Sequence, residues 1–337
     1  MRNWSLLARL MILITVVSVT VVFAYNEASQ GEQASGLNEQ KNASISVVNL
    51  SGNALSEKYG GVGLISRQIL FGNPDMEHVV ESPDGLWFCY LAPVNGVMNI
   101  WVGPLDNLSL AKPITRDTGR GIHFFYWMFD SRTILYPKDT NGDENWTIYS
   151  IDRVTGNKRA LTPLENVSAS VLATSQLIPG DVILALNDRN PEYHDLFRVN
   201  LTTGENRLIL KNDNFTSFVL DNDFNVRFAT KATPDGGEEI LKHLDNGSWS
   251  EYMKLGIDDA SNTGILGFDR SNKIMYMFDS RKRDTSVLTA TNMTTGKTKI
   301  LAETPLADID SMISHPTEQT PQAASYNYDR KHWIARR

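Results

Sequence analysis

Asp152-Arg-Val-Thr-Gly156, Asn200-Leu-Thr-Thr-Gly204 and Asn292-Met-Thr-Thr-Gly296 are one element written three times. Each follows a strand-like run (Trp146–Ile151, Leu196–Val199, Ser286–Thr291) and precedes another (Lys158–Leu161, Asn206–Leu210, Thr298–Leu301). Asp245-Asn-Gly247 fills the gap, so the successive glycines 156, 204, 247 and 296 stand 48, 43 and 49 residues apart. An Asp or Asn with a Gly at this spacing marks a tight hairpin, because the turn needs positive φ at its centre. Asp106-Asn107, after Asn99–Val102, is a looser earlier copy.

A second mark lies upstream of the hairpins. Ser82-Pro-Asp-Gly85, Phe129-Asp-Ser-Arg132 and Phe268-Asp-Arg-Ser271 each introduce an apolar strand: Leu86–Leu91, Thr133–Tyr136 and Lys273–Phe278. Runs rich in Val, Ile, Tyr, Phe and Trp alternate with polar turns, and no long helical period appears after Ile65. A four-stranded unit of about 40–50 residues repeated in series is the signature of a propeller blade. The expected fold is therefore all-β: a β-propeller of four-stranded blades near 76–115, 120–163, 167–210, 214–256 and 263–302. A sixth begins near Asp308, with Ile313-Ser-His-Pro316 and Gln322–Tyr328, and the sequence stops at Ile334-Ala-Arg-Arg337. The expectation is five blades plus part of a sixth, an incomplete propeller over 64–337.

The 337 residues suffice for one large core. With 21% charged and 41% hydrophobic residues the composition is that of a globular protein. A net charge of −7 argues against a nucleic-acid partner, which requires a basic face to displace counterions. Arg2 and Arg9 precede an uncharged stretch from Leu10 to Ala24, and small residues at Val22 and Ala24 suit a signal peptidase. Residues 1–24 read as a signal peptide or an uncleaved N-terminal membrane anchor, and 25–63, poor in large apolar residues, as a polar linker. Both imply an exported, extracytoplasmic chain whose contact with membrane is limited to that segment. Ten Asn-x-Ser/Thr sequons agree with export; besides Asn3, Asn42 and Asn49 they begin at Asn107, Asn145, Asn166, Asn200, Asn214, Asn246 and Asn292, the candidate glycosylation sites.

Chemistry-bearing constellations are few. Cys89 is the single cysteine and sits in the apolar run Leu86–Leu91, as core filler. None of the six histidines is paired at a metal-ligand spacing, and His194 beside Asp195 has no nucleophile to serve. Asp139-Thr-Asn-Gly-Asp143 has alternate oxygens but places Gly fourth and Ser150 where a calcium loop needs Glu, so a hairpin is expected. No cofactor motif is present. Arg116 and Arg120, in a basic and aromatic stretch running to Trp127, are candidates for a channel or interface, touching a substrate carboxylate or a partner domain. The alternative gives them inter-blade salt bridges with Asp117 and Asp130. Arg281 and Arg283, between Asp279 and Asp284, carry the same two readings.

With the blades laid out, Gln68-Ile-Leu-Phe-Gly-Asn-Pro-Asp75, Ser82-Pro-Asp-Gly85, Tyr90-Leu-Ala-Pro-Val-Asn-Gly-Val-Met-Asn-Ile-Trp-Val102 and Thr115-Arg-Asp-Thr-Gly-Arg-Gly-Ile122 resemble the propeller of acylaminoacyl-peptidase-like members of the prolyl oligopeptidase family. Asp139–Trp146, Leu186–Pro191 and Asp279–Thr285 resemble its later blades, in order. The resemblance implies a propeller set over an α/β-hydrolase domain whose nucleophile lies in a Gly-x-Ser-x-Gly elbow. No such elbow occurs in this sequence, so no catalytic residue carries over. The expected role is the non-catalytic propeller portion of such a peptidase, truncated or split, which gates peptides and docks a separate hydrolase domain. The alternative is a self-standing extracytoplasmic binding or scaffold propeller.

Overall fold

The structure is a computed structural model, and it describes residues 65–335. Residues 75–335 lie in one compact unit; residues 65–74 belong to a second, whose described part holds a five-residue helix, α1 (Arg67–Phe71).

The larger unit is a succession of antiparallel sheets, each a meander of consecutive strands. The first blade is β1 (Glu77–Glu81), β2 (Trp87–Val94), β3 (Val97–Pro104) and β4 (Lys112–Pro113). The second is β5 (Tyr126–Trp127), β6 (Thr133–Lys138), β7 (Thr147–Asp152) and β8 (Lys158–Ala160). The third is β9 (Ala169–Thr174), β10 (Asp181–Asn190), β11 (Tyr193–Asn200) and β12 (Asn206–Leu210). The fourth is β13 (Ser217–Leu220), β14 (Val226–Ala232), β15 (Glu238–His243) and β16 (Trp249–Leu255), followed by the short helix α2 (Ile257–Ala260). The fifth is β17 (Gly264–Phe268), β18 (Ile274–Asp279), β19 (Val287–Asn292) and β20 (Thr298–Ala302), and the sixth is β21 (Ile309–Ser314), β22 (Pro321–Asn327) and β23 (Lys331–Ala335).

Six blades are therefore present, which corrects the expectation of five plus part of a sixth. The residues after Asp308 contain two tight reversals. His315 N donates to Thr320 O at 2.7 Å, folding β21 onto β22, and Tyr328 N donates to Arg330 O at 3.2 Å, folding β22 onto β23. Ile309, Met312, Ala324, Tyr326 and Ile334 then pack on Leu288 and Ala302 of the fifth blade, as any blade packs on its neighbour.

Side-chain alternation along each strand makes this stacking work. Ile134 and Tyr136 of β6 enter a core shared with Leu91, Met98 and Ile100 of the first blade. Leu135, between them, enters a different core with Val182, Leu184 and Leu186 of the third. On β10, Ile183 and Ala185 point the other way, toward Phe218, Phe224 and Val226 of the fourth blade. Phe228 and Ile240 meet Phe268, Met275 and Met277 to join the fourth and fifth. Cys89 is fully buried in the first of these cores, and burial pushes its thiol well above the usual range.

The repeated turns are superimposable in their bonding. The first side chain accepts from two backbone N–H groups: Val154 and Thr155 on Asp152 Oδ1 at 2.8 and 3.0 Å, Thr202 and Thr203 on Asn200 at 3.1 and 2.9 Å, Thr294 and Thr295 on Asn292 at 3.0 and 2.9 Å. Each closing glycine, at φ 71°, 76° and 70°, donates its N–H to the carbonyl of that first residue at 2.8 Å. Asn107 departs from the pattern: its side chain caps a 3-10 turn (Leu108–Leu110) by accepting from Ser109 N at 3.1 Å.

Two substitutions separate turn strain from core packing. Gly296 has open space where a Cβ would go, so Gly296→Ala should cost only the positive-φ strain, about 1 kcal/mol. Leu184, fully buried, should cost about 2–5 kcal/mol on replacement by Ala. Equilibrium urea unfolding of the two variants measures both.

Candidate functional site

Because the blades are meanders, their loops alternate between the two ends of the propeller. Loops joining first to second and third to fourth strands lie at one end; second-to-third loops and inter-blade crossings lie at the other. Arg116 and Arg120 are in the crossing from β4 to β5, and Arg281 and Arg283 in the loop from β18 to β19. The four candidate residues thus share one end, though they sit in different blades.

At the first crossing the loop is built around Asn99, fully buried on β3. Its Nδ2 donates to Val97 O at 3.0 Å and Asp117 O at 3.1 Å; its Oδ1 accepts from Thr115 Oγ1 at 2.9 Å and Asp117 N at 2.6 Å. Gly121, at φ 89°, brings the chain so close to Met98 that a Cβ would sit 3.1 Å from its backbone. This positions Asp117 to accept from Gly121 N at 2.8 Å and to pair with the Lys138 ammonium at the end of β6. Burial pushes the Asp117 carboxyl up, but Lys138 and the Gly121 N–H outweigh it and hold it below the usual carboxylate range.

Both expected salt bridges are corrected here. Arg120 pairs with Asp139 at 2.5 Å, not Asp130, and Asp117 takes Lys138 rather than Arg116. The reason is topological: Asp139 follows β6 at the same end as the crossing, whereas Asp130 precedes β6 at the opposite end. Asp130 instead caps its own turn, accepting from Arg132 N at 2.8 Å and Thr133 N at 2.7 Å. Arg116 is exposed and, among the described residues, has no ion-pair or hydrogen-bond partner. Its neighbourhood is a cleft of about 320 Å³ between the first two blades, bounded also by Tyr136, Lys138 and Lys158.

Arg281 grips Asp279 with two parallel bonds of 2.8 Å. Burial raises the Asp279 carboxyl, and the guanidinium more than reverses it. Arg283 reaches Glu303, in the next crossing, at 3.8 Å. Arg283 thus pairs with the residue that leaves the last strand of its own blade, and Arg281 with the last residue of β18.

A third cluster at this end escaped the sequence reading. Arg189 holds the buried Asp195 with bonds of 2.7 and 2.8 Å and donates to Asn212 O at 2.7 Å; Asn212 N donates to Asp195 Oδ1 at 2.7 Å. This ties the third blade to its crossing into the fourth. Only the β10–β11 register, which sets Leu186 against Asp195, brings Arg189 back over Asp195. His194 therefore does not own its neighbouring acid. It is half-buried, and desolvation lowers its pKa although Asp195 opposes this.

The Asp139–Asp143 stretch is the β6–β7 hairpin loop, and its oxygens face protein donors. Asp143 Oδ1 accepts from Thr140 N at 3.1 Å and Asn145 N at 3.2 Å. No cluster of three or more His, Cys, Asp or Glu side chains suited to a metal occurs among the described residues. Of the sequons, Asn107, Asn166, Asn214 and Asn246 are exposed, while Asn145, Asn200 and Asn292 are half-buried. Asn200 Nδ2, the atom a glycan would take, donates to Asp181 at 2.8 Å. Residues 1–64, with the signal or anchor, the linker, Asn3, Asn42 and Asn49, lie outside the described residues.

At the other end the inner loops are stitched by neutral side chains. Ser175 Oγ donates to Asn222 O at 2.5 Å, and Asn222 Nδ2 to Asn272 Oδ1 at 2.8 Å, linking the third, fourth and fifth blades. Gln176 Nε2 donates to Pro316 O, joining the third blade directly to the sixth.

His194 carries a pH prediction. A folded-state pKa below the unfolded value means that the unfolded chain binds more protons near pH 6, so stability rises with pH there. The urea midpoint should fall between pH 7 and pH 5, and His194→Asn should flatten the slope over that interval.

No model of a known protein family matches the chain. Two relatives do. It is 35% identical over 279 residues to dipeptidyl aminopeptidase BIII of Pseudoxanthomonas mexicana, covering 82% of this chain and 40% of that protein. It is 30% identical over 285 residues to dipeptidyl peptidase family member 6 of Caenorhabditis elegans, covering 80% and 38%. The chain thus spans about two fifths of the length of these relatives. A solved prolyl endopeptidase matches with a TM-score of 0.50 at 12% identity, over 74% of this chain and 39% of that one, a likeness of fold. The chain is thus a β-propeller homologous to about two fifths of two dipeptidyl peptidases, and its fold is like that of a prolyl endopeptidase over most of its length.

Proposed function

We propose that this chain is the part of the peptidase that admits peptides and docks the hydrolase domain, and that it performs no hydrolysis itself. The observation that carries this is the alignment: two dipeptidyl peptidases match over four fifths of this chain but only about two fifths of their own length. The absence of any Gly-x-Ser-x-Gly in the sequence agrees with it. Radial blades around a channel suit gating, since an extended peptide passes where a folded protein does not. The end bearing Arg116, Arg120, Arg281 and Arg283 is the docking face, because its charged loops offer a partner domain complementary contacts.

The test uses the full chain with a dipeptidyl chromogenic substrate. No turnover is expected alone, and turnover abolished by a serine-directed inhibitor would defeat the reading. Adding the separately produced hydrolase portion of the Pseudoxanthomonas relative should give a complex in sedimentation velocity, weakened several-fold by Arg283→Glu; absence of any complex counts against docking.

We also propose that the chain is exported, as the 1–24 segment and the sequons suggest. N-terminal sequencing of protein from the native host should find a start at Tyr25, or an intact N-terminus in the membrane fraction. Recovery in the cytoplasm would refute export.

A further inference from the structure

The cleft between the first two blades has one apolar side and one unneutralised basic side. Ile114, Ile151 and the ring of Tyr136 make the apolar wall, and all three belong to the inter-blade core, which here stops short of filling the space. Three cations, Arg116, Lys138 and Lys158, line the same cavity with a single carboxylate, Asp117. Lys138 is already committed to Asp117. Lys158 lies over the rings of Tyr149 and Tyr136 at 4.2 and 5.7 Å, and Arg116 has no partner among the described residues. The cavity thus holds three cations against one carboxylate. Burial and then the nearby Lys138 ammonium lower the Lys158 pKa, although Asp117 opposes this, and a bound anion would relieve the Lys138 repulsion.

We infer that this cleft binds the C-terminal carboxylate of a short peptide with an apolar last residue. Its volume of about 320 Å³ lies at the small end of ligand pockets and fits one acylated amino acid. The planar Arg116 guanidinium matches a carboxylate with two parallel bonds, and Lys158 supplies a point charge beside it. An apolar side chain then covers Ile114 and Ile151. The elements that build the cavity come from two blades: the chain following β4 from one, and β6, β7, the β7–β8 turn and β8 from the other. Binding would therefore clamp those blades together. The inference stands apart from docking of a hydrolase, since it concerns the chain alone and its failure leaves that reading untouched.

The experiment is a methyl chemical-shift titration of the full chain, labelled at isoleucine, with N-acetyl-leucine, N-acetyl-leucinamide and inorganic phosphate at low ionic strength. Saturable shifts at Ile114 and Ile151 are expected with the free acid, with the amide at least ten-fold weaker and phosphate also weaker. Arg116→Gln and Lys158→Gln should each weaken the acid about ten-fold. Arg116 makes no ion pair or hydrogen bond among the described residues, so that variant leaves the polar contacts of the fold in place and reads binding. Equal binding of acid and amide, phosphate binding as tightly as the acid, or no saturable shift at these methyls overturns the assignment.

Discussion

Everything in this propeller depends on each internal sheet burying both of its faces. A strand such as β6 sends Ile134 and Tyr136 one way and Leu135 the other, so no sheet can satisfy its apolar residues without a neighbour on each side. Adjacent residues Ile183 and Leu184 of β10 are both fully buried, yet belong to different cores. The blade is therefore a unit of repetition and not of stability, as expected of an architecture whose units contact mainly their neighbours. Middle strands read as nearly continuous apolar runs for the same reason.

Once the faces are occupied by packing, polar chemistry is confined to the two ends and to the clefts between outer strands. At one end hydroxyl and amide side chains link the inner loops, through Ser175, Asn222 and Asn272, with Gln176 reaching Pro316, and Arg132 with Asp152, Arg198 with Asp181 and Arg227 with Asp221 add charged pairs. The other end carries Arg120 with Asp139, Arg189 with Asp195 and Arg281 with Asp279. Neutral bonds between loops make a rigid rim. Charged groups that are half exposed add little stability and remain available to a partner.

Function on such a scaffold resides in its sites, since propellers host many unrelated activities. The similarity to dipeptidyl peptidases rests on sequence identity over most of the chain, which the fold then makes intelligible. Residues buried for structure, such as Asn99 with its four hydrogen bonds, explain why the phrase around the first crossing is recognisable at all. Asn99 determines where the Asp117 loop runs, and that loop in turn sets one wall of the inter-blade cleft.

The sequence alone determined the repeat, the four-stranded blade and the hairpin turns, because these depend on contacts a few residues apart. Asp152, Asn200 and Asn292 bond to N–H groups two and three positions on, and their glycines supply the positive φ that the turn requires. Cys89 was legible as core for a similar reason, from its place in an apolar strand. Tertiary structure decided the partners of the charged residues and the sixth blade. Arg120 chose Asp139, 19 residues away, over Asp130, because strand direction puts Asp139 and the crossing at the same end. Arg189 found Asp195 through a hairpin register that no local pattern specifies, and the cleft at Arg116 exists only where two blades fail to meet. Local bonding is written in adjacent residues; which charge meets which is settled by the packing of whole sheets.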